Sequence, residues 1–298
     1  MKIMTGLIIK VLLIIGLFGS DALYAQNPDI KPLPGLLDDL KLLADKTNAE
    51  RLEALTTILS EKEIAYEIEL FTAESRRGTV NGRNLVVTFG SGAKDFVLGA
   101  HYDKVTVGSG VVDNGASSII LTRVAEALKN ETFNNRLRIV WFDVEERGLI
   151  GSAQFIETHK DDPIVSMINL DVNGYGDTMM FGPTASTGMH RLYELAQSVA
   201  MKNDIGFILF PRYGGGDDIS FQRAGIENIS IGVGPLGEVR EFWLAYNGLD
   251  AYKPAGTPVI FTNMHSENDA MDKIQPLAMT YTYTVILEMI KQLDKMIK

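Results

Sequence analysis

Four short apolar runs, at residues 96–100, 139–142, 167–170 and 229–233, do most to restrict how this 298-residue chain can fold. The first two are apolar at successive positions, the third is broken only by Asn169 and the fourth by Ser230 and Gly232, and all are read as buried strands covered on both faces. Between them, residues 117–128, 151–158 and 190–201 carry apolar side chains at helical spacing. A last helix is expected over 279–297, with Tyr283, Ile286, Leu287, Ile290 and Leu293 on one face. Strands and helices in alternation predict an α/β fold, a three-layer αβα sandwich around a mostly parallel mixed central sheet. Upstream, the leucines of 36–43 and the set Leu52, Leu55, Ile58 and Leu59 predict two helices. Residues 64–71 alternate as a strand does, and the turn-rich stretch 78–83 predicts a hairpin.

The amino terminus marks a boundary. Lys2 is followed by an apolar run from Leu7 to Phe18, broken by Lys10 and Gly16, and then by Ala22-Leu23-Tyr24-Ala25 before Gln26. A positive start, a short apolar stretch and small residues at a cut site predict a secretory signal over 1–25. The expectation is therefore an exported protein, periplasmic or secreted, in which 26–298 form a single catalytic domain. The apolar run is short for a membrane span, so no stable membrane association is expected after cleavage. The net charge of -10, with no basic patch, argues against a nucleic-acid partner. Cysteine is absent, which excludes disulfides, thiolate metal sites and a cysteine nucleophile. Oligomeric state has no sequence signal here.

The chemistry gathers where the apolar runs end. His101 and Asp103 follow the first run, Glu145 and Glu146 the second, and Asp171 the third. In open α/β sheets, ligands bind at the carboxyl ends of strands. Asp113 lies in the glycine-rich stretch 108–115, and His265 opens His-Ser-Glu-Asn-Asp. A metal without thiolates takes histidine nitrogen and carboxylate oxygen. His101, Asp113, Glu146, Asp171 and His265 are the candidate ligands, and Asp103 can sit behind His101 and fix its ring. Two adjacent carboxylates at the end of an apolar strand repel each other and are costly to bury unless something positive binds them. A turn at Glu145-Glu146 can set one on a metal and leave the other as a general base toward water. Two metals about 3.5–4 Å apart need a bridging group, which a carboxylate supplies. Plainer readings stand beside these. Asp113 suits a helix N-cap, Asp217-Asp218 suit a cap for a helix running to Arg223, and His159 and His190 suit solvated surface histidines.

Taken in order, His101-Tyr-Asp103, Asp113-Asn114-Gly-Ala-Ser, Glu145-Glu146-x-Gly148-Leu149-x-Gly151-Ser152, Asn169-Leu170-Asp171 and His265-x-x-x-Asp269-x-x-Asp272 resemble the zinc aminopeptidases of metallopeptidase family twenty-eight. Gly216-Asp217-Asp218-Ile-Ser-Phe221 adds a weaker match. The resemblance implies a zinc-peptidase-like fold holding two zincs per chain. Asp113 would bridge them, with His101 and Asp171 completing one site and Glu146 and His265 the other. It implies Glu145 as the base that activates water, Asp103 as the partner of His101, and a peptide with a free N-terminus as substrate. The chain departs from the pattern at Asp218, where many members carry histidine, and at Met264, where some carry tyrosine. The oxyanion donor is thus open among Tyr213, Tyr246 and Tyr252, and Arg212 is a candidate peptide contact. Residues 237–261 are a candidate pocket wall. Two other readings compete: a single-zinc glutaminyl cyclase of the same fold, and a peptidase-like binding domain without metals.

Overall fold

The structure is a computed structural model in which residues 27–75, 78–183, 191–248 and 258–297 are described. The expected signal segment, His190 and Tyr252 lie outside them.

Helices α1 (Leu36–Lys41) and α2 (Asn48–Glu61) come first. Thr47 starts α2 with a capping box: its hydroxyl accepts the Glu50 N–H while the Glu50 carboxylate accepts the Thr47 N–H. The sheet strands are β1 (Glu67–Ser75), β2 (Gly78–Phe89), β3 (Asp95–His101), β4 (Arg136–Phe142), β5 (Ile164–Leu170), β6 (Thr178–Gly182), β7 (Phe207–Leu209) and β8 (Glu227–Gly234). They form one sheet in the order β1-β2-β4-β3-β5-β8-β6-β7. The pairs β3/β4, β3/β5, β5/β8 and β6/β7 are parallel, and the other three are antiparallel. The expected mixed, mostly parallel α/β sheet is present. All four apolar runs fall within β3, β4, β5 and β8, the sheet's centre.

Burial on both faces explains those runs. In β3, Phe96, Leu98 and Ala100 enter the larger core cluster and Val97 enters a second one. In β4, Ile139 and Trp141 face the larger cluster, while Val140 and Phe142 face the second. The larger cluster is roofed by α1, α2, α3 (Ala116–Leu128), α5 (Arg191–Lys202) and α9 (Pro276–Met296). The second is closed by Phe155 of α4 (Ile150–Thr158) and Phe221 of α6 (Asp218–Arg223). Helices α7 (Leu236–Asn247) and α8 (Val259–Asn263) lie between β8 and α9 in the chain. The result is helix, sheet and helix in three layers.

One expectation shifts. The stretch 78–83 is no turn: it begins β2, and the reversal falls between Ser75 and Gly78, which are paired across it. Gly82 looks like a turn residue in the sequence, yet it pairs with Phe71, and a Cβ there would lie 2.1 Å from the Phe71 ring. The glycine makes room for a cross-strand aromatic. β6 and β7 are strands the sequence reading does not contain, and β7 is only three residues long.

Candidate metal centre

The candidate ligands arrive on loops at one end of the sheet. His101 is the last residue of β3. Asp113 sits in the loop Val111–Gly115 leading into α3, where its own backbone (φ -122, ψ 94) is extended instead of helical, and its peptide bond to Asn114 is cis. Glu145 and Glu146 lie on a single tight turn, Glu145–Arg147, after β4, and Asp171 follows β5. His265 comes from the segment between α8 and α9.

The backbone around these residues is strained. Val144 (φ 60), Leu149 (φ 62), Val172 (φ 57) and His265 (φ 53) are all left-handed without being glycine. Such a conformation is rare for L-residues, rarest for a β-branched one, and such strain concentrates at functional sites. Here it redirects the chain at Glu145, at the start of α4, after Asp171 and at His265 itself.

Asp113 is the centre of the cluster. Its Oδ1 lies 3.2 Å from His101 Nε2, and its Oδ2 lies 3.1 Å from His265 Nε2. His101 Nε2 is also 3.6 Å from Asp171 Oδ1, and His265 Nε2 is 2.8 Å from Glu146 Oε2. Two groups of potential metal donors result, His101–Asp113–Asp171 and Asp113–Glu146–His265, each spanning no more than 4.8 Å, and they share Asp113. Glu145 belongs to a third such group with His101 and Glu146. All five sequence-nominated ligands and Glu145 therefore meet in one place. Asp113 caps no helix, since the N-cap of α3 is Gly115 and no side chain bonds it.

Asp103 acts differently from its expected role. The His101 Nδ1 hydrogen bond goes to the Asp103 main-chain carbonyl at 3.1 Å, while the nearer carboxylate oxygen is 3.5 Å away. That carboxylate instead accepts the N–H groups of Glu145 (3.0 Å) and Glu146 (3.3 Å), so one residue aligns both the histidine and the acidic turn.

The electrostatics are dominated by burial and by crowded carboxylates. Burial pushes Glu145 well above the ordinary carboxylate range and raises Glu146 to about 7, with Asp113 adding repulsion and the two histidines opposing it. Burial also raises Asp171. For His101, burial works toward neutrality but is outweighed by Glu145, Asp103, Asp113 and Asp171, which hold the ring well above its usual range. Glu146 Oε1 and Asp171 Oδ1 are buried with no hydrogen-bond partner. Crowded carboxylates with orphaned oxygens are stabilised by a divalent cation, and nitrogen and oxygen donors without thiolate suit zinc. The residues present fit such a group.

Several residues contribute in ways the sequence motifs do not specify. Asn114 accepts the Val172 N–H (3.2 Å) and donates to the Leu170 carbonyl (2.8 Å), bracketing Asp171. The Asp269 carboxylate accepts the N–H groups of Val112 (2.7 Å) and Asp113 (3.1 Å), tying the His265 segment to the Asp113 turn. Both residues stand within the sequence motifs, but a motif carries no direction for a side chain. Asp217 is buried with neither oxygen partnered, and burial raises it to about 7; as the N-cap of α6 it makes no capping hydrogen bond. His159 is not a solvated surface residue: its ring packs on Phe155 and its nitrogens reach Asp162 (2.8 Å) and Glu69 (2.9 Å), apart from the candidate ligands. A cavity of about 130 Å³ opens beside Asp171, lined by Met180, Tyr213, Phe242, Tyr246 and Met264 among others. Two of the three candidate tyrosines therefore stand next to the cluster, and part of 237–261 does form a wall. Arg212 is exposed, and its N–H is bound by Asn247.

Residues 84–290 match the profile of Peptidase family M28, well over half of the chain. The chain belongs to peptidase family M28. Among similar proteins, leucine aminopeptidase 2 of Trichophyton equinum is 35% identical over 113 residues, which is 33% of this chain and 23% of that protein. The match thus spans under a quarter of the relative. The structure of a zinc aminopeptidase from Bacillus subtilis is similar with a TM-score of 0.56 at 18% identity, covering 73% of this chain and 51% of that one. A glutaminyl cyclase from an Acidobacteriales bacterium is similar with a TM-score of 0.69 at 17% identity, covering 91% of this chain and 99% of that one. At these identities the two structures speak for the fold alone.

Proposed function

We propose that this M28 chain is a di-zinc aminopeptidase. The observation that carries the reading is the sharing of Asp113, whose two oxygens each face a different histidine. In this reading Asp113 would be shared between two zincs, with His101 and Asp171 holding one and Glu146 and His265 the other. The chemistry that bound zinc would supply there is Lewis-acid polarisation of the scissile carbonyl and a more acidic water. Glu145 takes the proton of the attacking water and returns it to the leaving amine. Its burial suits the task, because a carboxyl with a raised pKa holds a proton at neutral pH better than an exposed one. Asp103 keeps Glu145 and Glu146 in register through their amides. The free amine of the peptide is recognised by the surplus of carboxylate at Asp171 and Glu145. The neighbouring cavity, walled by Met180, Phe242 and Met264, takes an apolar N-terminal side chain. The N-terminal sequence supports export, with residues 1–25 removed.

A second reading has one observation in its favour: the likeness to glutaminyl cyclase extends over 99% of that chain, against 51% for the zinc aminopeptidase. In that case the protein would hold one zinc and cyclise N-terminal glutamine. Incubation of the zinc-loaded protein with free, N-blocked and N-terminal Gln peptides separates the two. Release of the first residue from free peptides, with close to two zincs by elemental analysis, is expected. Cyclisation of Gln with a single tight zinc would replace the first reading with the second.

A further inference from the structure

The family match begins at residue 84, yet the turn that carries Asp113 is held by a segment that precedes it. Residues 45–51 reach the loop between Asp103 and Asp113 three times. The Asp45 N–H donates to the Ser109 carbonyl (3.2 Å), the Lys104 N–H donates to Asn48 Oδ1 (3.0 Å), and both terminal nitrogens of Arg51 donate to the Gly110 carbonyl (2.9 and 3.0 Å). That same carbonyl accepts the Gly115 N–H at 3.0 Å, which closes the turn around Asp113.

Arg51 is 0% exposed, and its Nε has no hydrogen-bond partner. A guanidinium sealed from water and converging on one carbonyl is costly unless negative charge surrounds it. Burial lowers its pKa to about 10, opposed by Asp103, Asp269, Asp113 and Glu146, so it stays cationic at neutral pH beneath the cluster. The loop is shaped to it. A Cβ on Gly110 would stand 2.3 Å from Arg51 Nη1, one on Gly115 would stand 3.0 Å from Nη2, and Gly110 is left-handed with φ +69.

We propose that Arg51 is a positioning residue of the metal centre, fixing the Gly110 carbonyl and through it the turn that presents Asp113. The inference rests on the metal-centre reading above and extends the site to a helix outside the family-matched region. Its physical content is preorganisation: without the fork, the glycine-rich loop gains conformations in which Asp113 no longer faces both histidines. Charge alone would act in the opposite sense, because removing a cation from beneath the ligands favours a divalent ion. The direction of the change in zinc affinity therefore separates positioning from electrostatics.

The test is zinc affinity of the full chain, by competition with a chromophoric chelator, for wild type, Arg51→Met and Arg51→Lys. Arg51→Met should bind zinc about 10–100-fold more weakly, the range for residues that orient metal ligands. Arg51→Lys keeps the charge but not the planar fork and should bind zinc more weakly by a factor between about 2 and about 10. The rise in melting temperature on adding zinc should shrink in Arg51→Met, which a merely structural role would not produce. Unchanged or tighter zinc binding by folded Arg51→Met overturns the proposal. Should Arg51→Met fail to fold, unchanged affinity in Arg51→Lys overturns it. Absence of zinc binding in the wild type would overturn the metal centre itself, and this inference with it.

Discussion

Asp103→Asn probes the acidic turn without changing the size of a side chain that is 2% exposed. The carboxylate accepts two main-chain N–H groups, from Glu145 at 3.0 Å and Glu146 at 3.3 Å. An amide has one acceptor oxygen, so one of these bonds survives and the other amide N–H meets an NH₂ donor. Losing a hydrogen bond to a charged group costs about 1.5–3 kcal/mol, and a stranded buried donor costs about 1–3 kcal/mol more. Some of this is recovered as the turn relaxes, which leaves a loss of about 2–4 kcal/mol. The relaxation moves Glu145 and Glu146 together, since both hang from the same carboxylate. Denaturant unfolding of metal-free protein should show the stability loss, and chelator competition should show zinc affinity falling about 10–100-fold. His101 should keep its orientation, because its Nδ1 bond goes to the Asp103 carbonyl, which the substitution preserves. Stability within about 0.5 kcal/mol of wild type, with unchanged zinc affinity, would refute the role given to this carboxylate.

Three further outcomes follow from single side chains. Glu145→Gln should keep its zinc content and fold while kcat falls by about 10²–10⁴, and a fully active variant would remove Glu145 as the base. Asp218, whose carboxyl burial pushes up to about 7 from 3.8, holds its proton in the folded protein after the unfolded chain has released it, so its contribution to stability is lost as pH rises between those values. Asp218→Asn should therefore be the more stable protein near about pH 8, by at most about 4 kcal/mol, and show no advantage near about pH 4; equal differences at both would contradict this sign. Gly176→Ala should destabilise the fold by more than about 2 kcal/mol in thermal unfolding, because its φ is +95 and a Cβ would lie 2.0 Å from the Gly234 main chain.

The sheet was legible because burial on both faces writes itself into sequence as unbroken apolar runs. Residues 96–100 and 139–142 could hardly be anything other than central strands, and the acidic and histidine residues directly after them had to fall at one edge of that sheet. Order along the chain thus put forward His101, Asp113, Glu145, Glu146, Asp171 and His265 as one group, and the structure brings them together. Edges were less legible. Residues 78–83 carry turn residues yet form the start of a strand, since what decided Gly82 was a ring from the neighbouring strand. His159 resembled a surface residue because its partners, Glu69 and Asp162, are set by packing and not by proximity in sequence alone.

By itself, then, the amino-acid sequence determined the α/β class, the donors available to a metal and the chain positions they occupy, because periodicity and residue chemistry are local properties. Only the tertiary structure decided how those donors divide. That Asp113 turns one oxygen to each histidine, that the Asp103 carboxylate serves the Glu145-Glu146 amides more than the His101 ring, and that Arg51 grips Gly110 from below are matters of direction across long separations. Direction at that range is set by how helices and strands pack, and no spacing of residues along the chain encodes it.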